Sequence, residues 1–161
     1  MVEAGQTHEG REQLLGGVEA MRAAGARITM TQTLSLVAQA HARCADLCQA
    51  MAAIEEALGA AETSGERYYL AELNRVRGEL LLMSQPSNNP EAEQSFRRSI
   101  ELARRQDARS WELRATTSLA RLLKRQGQTE EARHLLGKIF NWFSEGFHTA
   151  DLADAKALLM N

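Results

Sequence analysis

The sequence predicts an all-α fold, a right-handed α-solenoid of about three stacked helix pairs closed by a C-terminal capping helix. Three observations predict it. A small residue returns at intervals of 40, 42 and 40 positions, at Gly10, Ala50, Ala92 and Ala132, each followed four residues later by Leu14, Ile54, Phe96 or Leu136. The chain has two prolines in 161 residues and is crowded with strong helix formers. Its apolar residues recur at helical spacing over most of its length. A period of this size in helical sequence points to stacked helix pairs, because one pair does not bury its own apolar face and leans on the next.

The elements follow in order. From 9 to 24, Leu14, Leu15, Val18 and Met21 form one stripe, and Gly25 stands where a helix stops in a left-handed conformation. The first pair covers 28 to 58. Its first helix carries Leu34, Val37, Ala38 and His41, and after a break near Ala45 its second carries Met51, Ile54, Ala57 and Leu58. The second pair covers 68 to 106. Tyr69, Leu73, Val76, Leu80 and Leu81 line its first helix, the segment SQPSNNP is a loop, Asn89 caps, and Pro90 takes the first position of the second helix. The third pair covers 110 to 144, with Leu113, Thr116, Leu119, Ala120 and Leu123 facing inward, a turn at Gly127, and Thr129 as cap for Leu135, Leu136, Ile139, Phe140 and Phe143. A last segment, 149 to 160, has Thr149 as cap and a stripe of Leu152, Ala155, Leu158 and Leu159, as expected of a helix closing a stack. Ala38, Gly78 and Ala120 in the first helices, with Ala50, Ala92 and Ala132 in the second, let each pair approach closely.

Composition bounds the function. The apolar share of 44% and charged share of 25% are those of a folded domain, and 161 residues fit one domain. The net charge of -2 argues against a dedicated nucleic-acid binder. Charge is uneven, however: residues 1 to 60 carry four basic and seven acidic side chains, whereas 101 to 140 carry nine and five. An anionic partner is therefore drawn to the C-terminal half. No apolar run is long enough to cross a bilayer, the first ten residues lack a signal-peptide pattern, and Cys44 and Cys48 lie too close to staple distant elements, so the expected compartment is the cytoplasm.

The segments QTLSLVAQAHARCADLCQAMAAIEEAL, AELNRVRGELLL with EAEQSFRRSIELARRQDARS, and TTSLARLLKRQGQTEEARHLL each resemble the tetratricopeptide repeat. More closely, the last 90 or so residues resemble the C-terminal repeat region of large bacterial signalling proteins that carry a nucleotide-cyclase or ATPase module. Asp107 departs from that pattern by standing where glycine is usual, and SQPSNNP lengthens the middle repeat. No catalytic module is present, so the resemblance implies a detached regulatory or scaffolding arm and not an enzyme. It also implies that 9 to 24 is the second helix of a repeat whose first is missing, leaving an apolar flank for homodimerisation or for an upstream domain.

In this repeat class the first helices line a groove, and positions offset from the small residue face it. These are Gln32, Ser35, Gln39, Ala42 and Arg43, then Glu72, Arg75, Glu79, Leu82 and Met83, then Arg114, Thr117, Arg121, Lys124 and Arg125. The third set is almost wholly cationic, and guanidinium forks suit carboxylates. The expected partner is an acidic peptide gripped at that end with Leu82 and Met83 as apolar contacts. The competing reading is a solvated face balanced by Glu72 and Glu79. Two other functions stay open: a sensor in which the groove binds an anionic metabolite, and structural self-assembly through the first helix. His41, Cys44 and Cys48 have helical spacing but no fourth ligand, so they read as small buried cysteines at a helix junction and not as a metal site. Trp142, Phe143 and Phe147 read as packing for the last helix. No phosphate-binding glycine loop, nucleophile elbow or cofactor motif occurs.

Overall fold

The computed structural model describes residues 2 to 25, 29 to 85 and 89 to 160, with side chains from Glu9 onward. All regular structure among them is helical: α1 (Val2–Ala23), α2 (Met30–Arg43), α3 (Leu47–Ser64), α4 (Leu70–Ser84), α5 (Asn89–Arg105), α6 (Arg109–Arg125), α7 (Thr129–Phe140) and α8 (Ala150–Met160). None is long and apolar enough to cross a membrane.

Each helix packs on its neighbours in sequence, and the even-numbered helices also meet one another, α2 on α4, α4 on α6 and α6 on α8. Among the described residues the odd-numbered helices make no comparable backbone approach. One layer is thus closely spaced and the other splayed. The recurring small residues lie at the crossings that permit this. Ala38, Ala50 and Ala92 are fully buried, and a Cβ built on Gly78 would stand 2.5 Å from the ring of Phe96, itself fully buried. Two apolar cores result. An alanine-rich one gathers Val18, Leu34, Ile54, Leu73 and Val76 with Ala53, Ala57 and Ala61. A leucine-rich one gathers Phe96, Leu113, Leu119, Leu123, Leu136 and Leu152. Met51 packs against both.

Three turns share one construction. After α2, α5 and α6 a left-handed residue (Ala45, Asp107 or Gly127) is followed by a backbone N–H that donates back five residues, Asp46 to His41, Ala108 to Ala103 and Gln128 to Leu123, at 2.9 to 3.0 Å. This is the Schellman closure, which satisfies carbonyls a helix end leaves open. It also corrects the expected cap at Thr129. The N-cap position belongs to Gln128, whose side chain makes no capping bond, because the tight turn after Leu123 brings the chain into α7 one residue before a threonine cap would. At the first of these turns Asp46 does cap, its carboxylate accepting from the Gln49 N–H at 3.3 Å.

Other boundaries differ from expectation. The first helix begins at Val2 and not near residue 9, since 2 to 8 holds no proline to stop it. The third helix runs past Leu58 to Ser64 and stops at Gly65, whose φ of 71° supplies the left-handed stop. Phe143 lies beyond α7, which ends at Phe140. Gly25, with φ of 66°, sits just past α1 as the sequence suggests. Thr149 directly precedes α8, but its hydroxyl donates back to the Gly146 carbonyl at 2.8 Å. Asn89 opens α5 with Pro90 in its first turn; Pro86, Ser87 and Asn88 of the expected loop, and Ile28 at the expected start of the first pair, lie outside the described residues.

Candidate functional site

The expected groove residues lie along the even-numbered helices, and their fates diverge. Gln39 on α2 is half-buried and donates to the Ser35 carbonyl at 3.2 Å. Arg43, on the last residue of that helix, is exposed. Arg75 and Thr117, expected to be open to a partner, are instead buried. The cause is the close approach of the even-numbered helices: Thr117 turns its hydroxyl back to the Leu113 carbonyl at 2.8 Å, and Arg75 forms a fork on Glu72, with Nε to Oε2 at 2.9 Å and Nη2 to Oε1 at 2.8 Å.

Glu72 is the centre of a charged line across three helices. Only 1% exposed, it holds Arg75 of its own helix and Arg114 of α6 at 3.0 Å, and Arg114 continues to Asp151 of α8 at 3.7 Å. Burial by itself would lower the affinity of the Arg75 guanidinium for its proton, but hydrogen bonds from Glu72 and the charges of Glu72 and Glu79 reverse that and raise its pKa. It is permanently charged. Glu79 pairs with Arg75 and accepts from the Ser118 hydroxyl at 2.9 Å. Tyr69, stacked edge-on to Trp111 at 5.5 Å, lies beside this line, and burial, then the Glu72 charge, push its phenol pKa up.

The cations of α6 are therefore engaged differently from expectation. Glu79 does not balance Arg121; Arg121 pairs with Asp154 of α8, and Lys124 donates to the Leu158 carbonyl at 2.6 Å. The last helix, whose sequence suggests only an apolar cap, thus supplies carboxylates to the basic face. The signal was present as Asp151 and Asp154, spaced three apart beside the Leu152 stripe.

Arg43, Met83 and Arg125 remain. They occupy the last turns of α2, α4 and α6, Met83 is 53% exposed, and neither arginine has a charged partner among the described residues. Glu72–Arg114 and, further along, Glu79–Ser118 run α4 and α6 in the same direction with their ends side by side, and α2 also packs on α4. The row is cation, thioether, cation.

Two other expectations are corrected. Cys48 is exposed and Cys44 half-buried, so neither is a small buried core residue. No group of three metal-ligating side chains occurs among the described residues. Trp142 and Phe147 are 59% and 45% exposed instead of packed under α8, since the chain leaves helical geometry at Asn141. Trp142 lies under the Arg109 guanidinium at 5.5 Å and edge-on to Phe143 at 5.1 Å.

No protein-family model matches this chain, and no curated protein matches it either.

Proposed function

We propose that the chain is a non-catalytic protein-binding module built from tetratricopeptide-like helix pairs, the regulatory arm of a bacterial signalling protein, acting in the cytoplasm. The free thiols of Cys44 and Cys48 support a reducing compartment. The observation that carries the binding reading is the exposed row Arg43, Met83 and Arg125 across three adjacent helix ends. With helix axes ~8–10 Å apart, the two arginines are roughly 20 Å from one another. An extended segment rises about 3.3 Å per residue, so about six residues cover that span. The partner is an extended segment with an acidic residue at each end and an apolar one midway, its carboxylates taken by guanidinium forks and its apolar side chain by Met83. Arg121 and Lys124, already fastened to α8, flank this row without leading it.

A fluorescent peptide of the pattern Asp-x-x-Leu-x-x-Asp tests the reading by polarisation. Binding that weakens with added salt, and at least ~10-fold when Arg43 and Arg125 are both changed to Glu, is the expected outcome. Binding indifferent to both salt and the double substitution, or no binding, refutes it.

A further inference from the structure

The splayed odd-numbered layer leaves creases between its helices, and two of them are bridged. Arg22 of α1 pairs with Glu56 of α3, and Arg97 of α5 pairs with Glu131 of α7 at 2.9 Å. The crease between α3 and α5 is different. It holds a cavity of about 960 Å³, within the size range of small-molecule sites. No ion pair or hydrogen bond joins α3 to α5 among the described residues.

That gap is unexpected from charge alone. Its α3 wall carries Glu55 and Glu62, seven residues apart on one face, and its α5 wall carries Arg98 and Arg105 at the same spacing. Opposite charges on facing walls would close the crease if they could reach. Instead Glu55 turns to Arg77 of α4 at 2.7 Å, while Arg98 and Arg105 share the single carboxylate of Glu101 at 2.8 and 3.2 Å, leaving positive charge in excess on that wall. Near the C-terminal ends of the two helices, Glu62 and Arg67 have no charged partner among the described residues. There the Gln106 amide donates to the Arg67 carbonyl and holds that turn against the end of α5. Leu58, Leu70 and Leu102 supply apolar lining.

A free carboxylate calls for an ammonium; two guanidiniums call for a carboxylate; the leucines call for an apolar body. We infer that the α3–α5 crease is a binding site for an apolar α-amino acid, with its carboxylate on Arg67 and Arg105, its ammonium on Glu62, and its side chain over the leucines. This site is separate from the helix-end row and does not depend on it.

The experiment is calorimetric titration of the full chain with L-leucine and L-phenylalanine, beside N-acetyl-L-leucine and L-leucinamide. Expected is saturable binding of both amino acids below ~10 mM, at least ~10-fold weaker for the two blocked forms and for Glu62→Gln or Arg105→Gln. No saturable binding of either amino acid overturns the inference. So does binding that survives blocking of either charged group, or that is not weakened by Glu62→Gln and Arg105→Gln.

Discussion

Gly78 shows how one missing methyl group sets a distance. Three atoms of the Phe96 ring would lie 2.5 to 2.9 Å from an added Cβ, and Phe96 is walled in on all sides. Gly78→Ala gains ~1 kcal/mol in helix propensity. It also forces a ring that has nowhere to go, and overpacking of a fixed core costs ~1–3 kcal/mol. The clash wins: the variant is less stable by about 1 kcal/mol in urea unfolding, and the pairing Gly78→Ala with Phe96→Leu recovers most of the loss. Gly78→Ala alone proving as stable as the parent would contradict this packing. The close approach at residue 78 was legible in the sequence from the 40-residue register of small residues. What the register does not carry is the fate of the polar positions beside it. Arg75 and Thr117 occupy groove-facing offsets yet are buried, because the even-numbered helices close on one another more tightly than the pattern alone requires.

The turns are where elements are joined, and their construction repeats while their residues do not. Gly127 takes its left-handed position without strain, whereas Ala45 and Asp107 adopt φ of 60° and 53° with a Cβ in place. An L-residue there costs ~1–2 kcal/mol. Part of that returns through the lower entropy of the unfolded chain. Ala45→Gly is expected to stabilise the protein by about 1 kcal/mol, seen as a rise in melting temperature, and a fall would mean that the Ala45 side chain makes a contact worth more than the strain. Helix number and helix centres were readable from periodicity. Helix ends were less so, since the tight closure after Leu123 displaced the start of α7 from the threonine that resembles a cap, and since Ser64, not Leu58, precedes the glycine that ends α3. The part of α8 in the charged line was hidden for another reason: Asp151 and Asp154 look like ordinary solvated acids until α6 is set beside them.

Across the whole molecule, α4, α6 and α8 are sewn together by charge, whereas among the described residues no ion pair joins α3 to α5. Glu72 is the knot, touching Arg75 and Arg114 from a site almost closed to water. Removing one partner of a buried pair strands the other, at a cost of ~3–5 kcal/mol. Glu72→Gln keeps the shape and some hydrogen bonding, so a loss of about 3 kcal/mol is expected from its unfolding curve, with faster amide exchange in α4, α6 and α8 together. Loss confined to α4 would show that the line is three separate contacts. Such a build has a mechanical consequence. A stack fastened along one side and slotted along the other bends like a book about its spine: stiff against sliding, compliant against opening. The α3–α5 slot, joined among the described residues only through Arg77 of α4, which holds Glu55 and Ser95 together, is where that compliance gathers, so a wedge driven into it would turn one half of the molecule against the other and respace the helix ends on the far side.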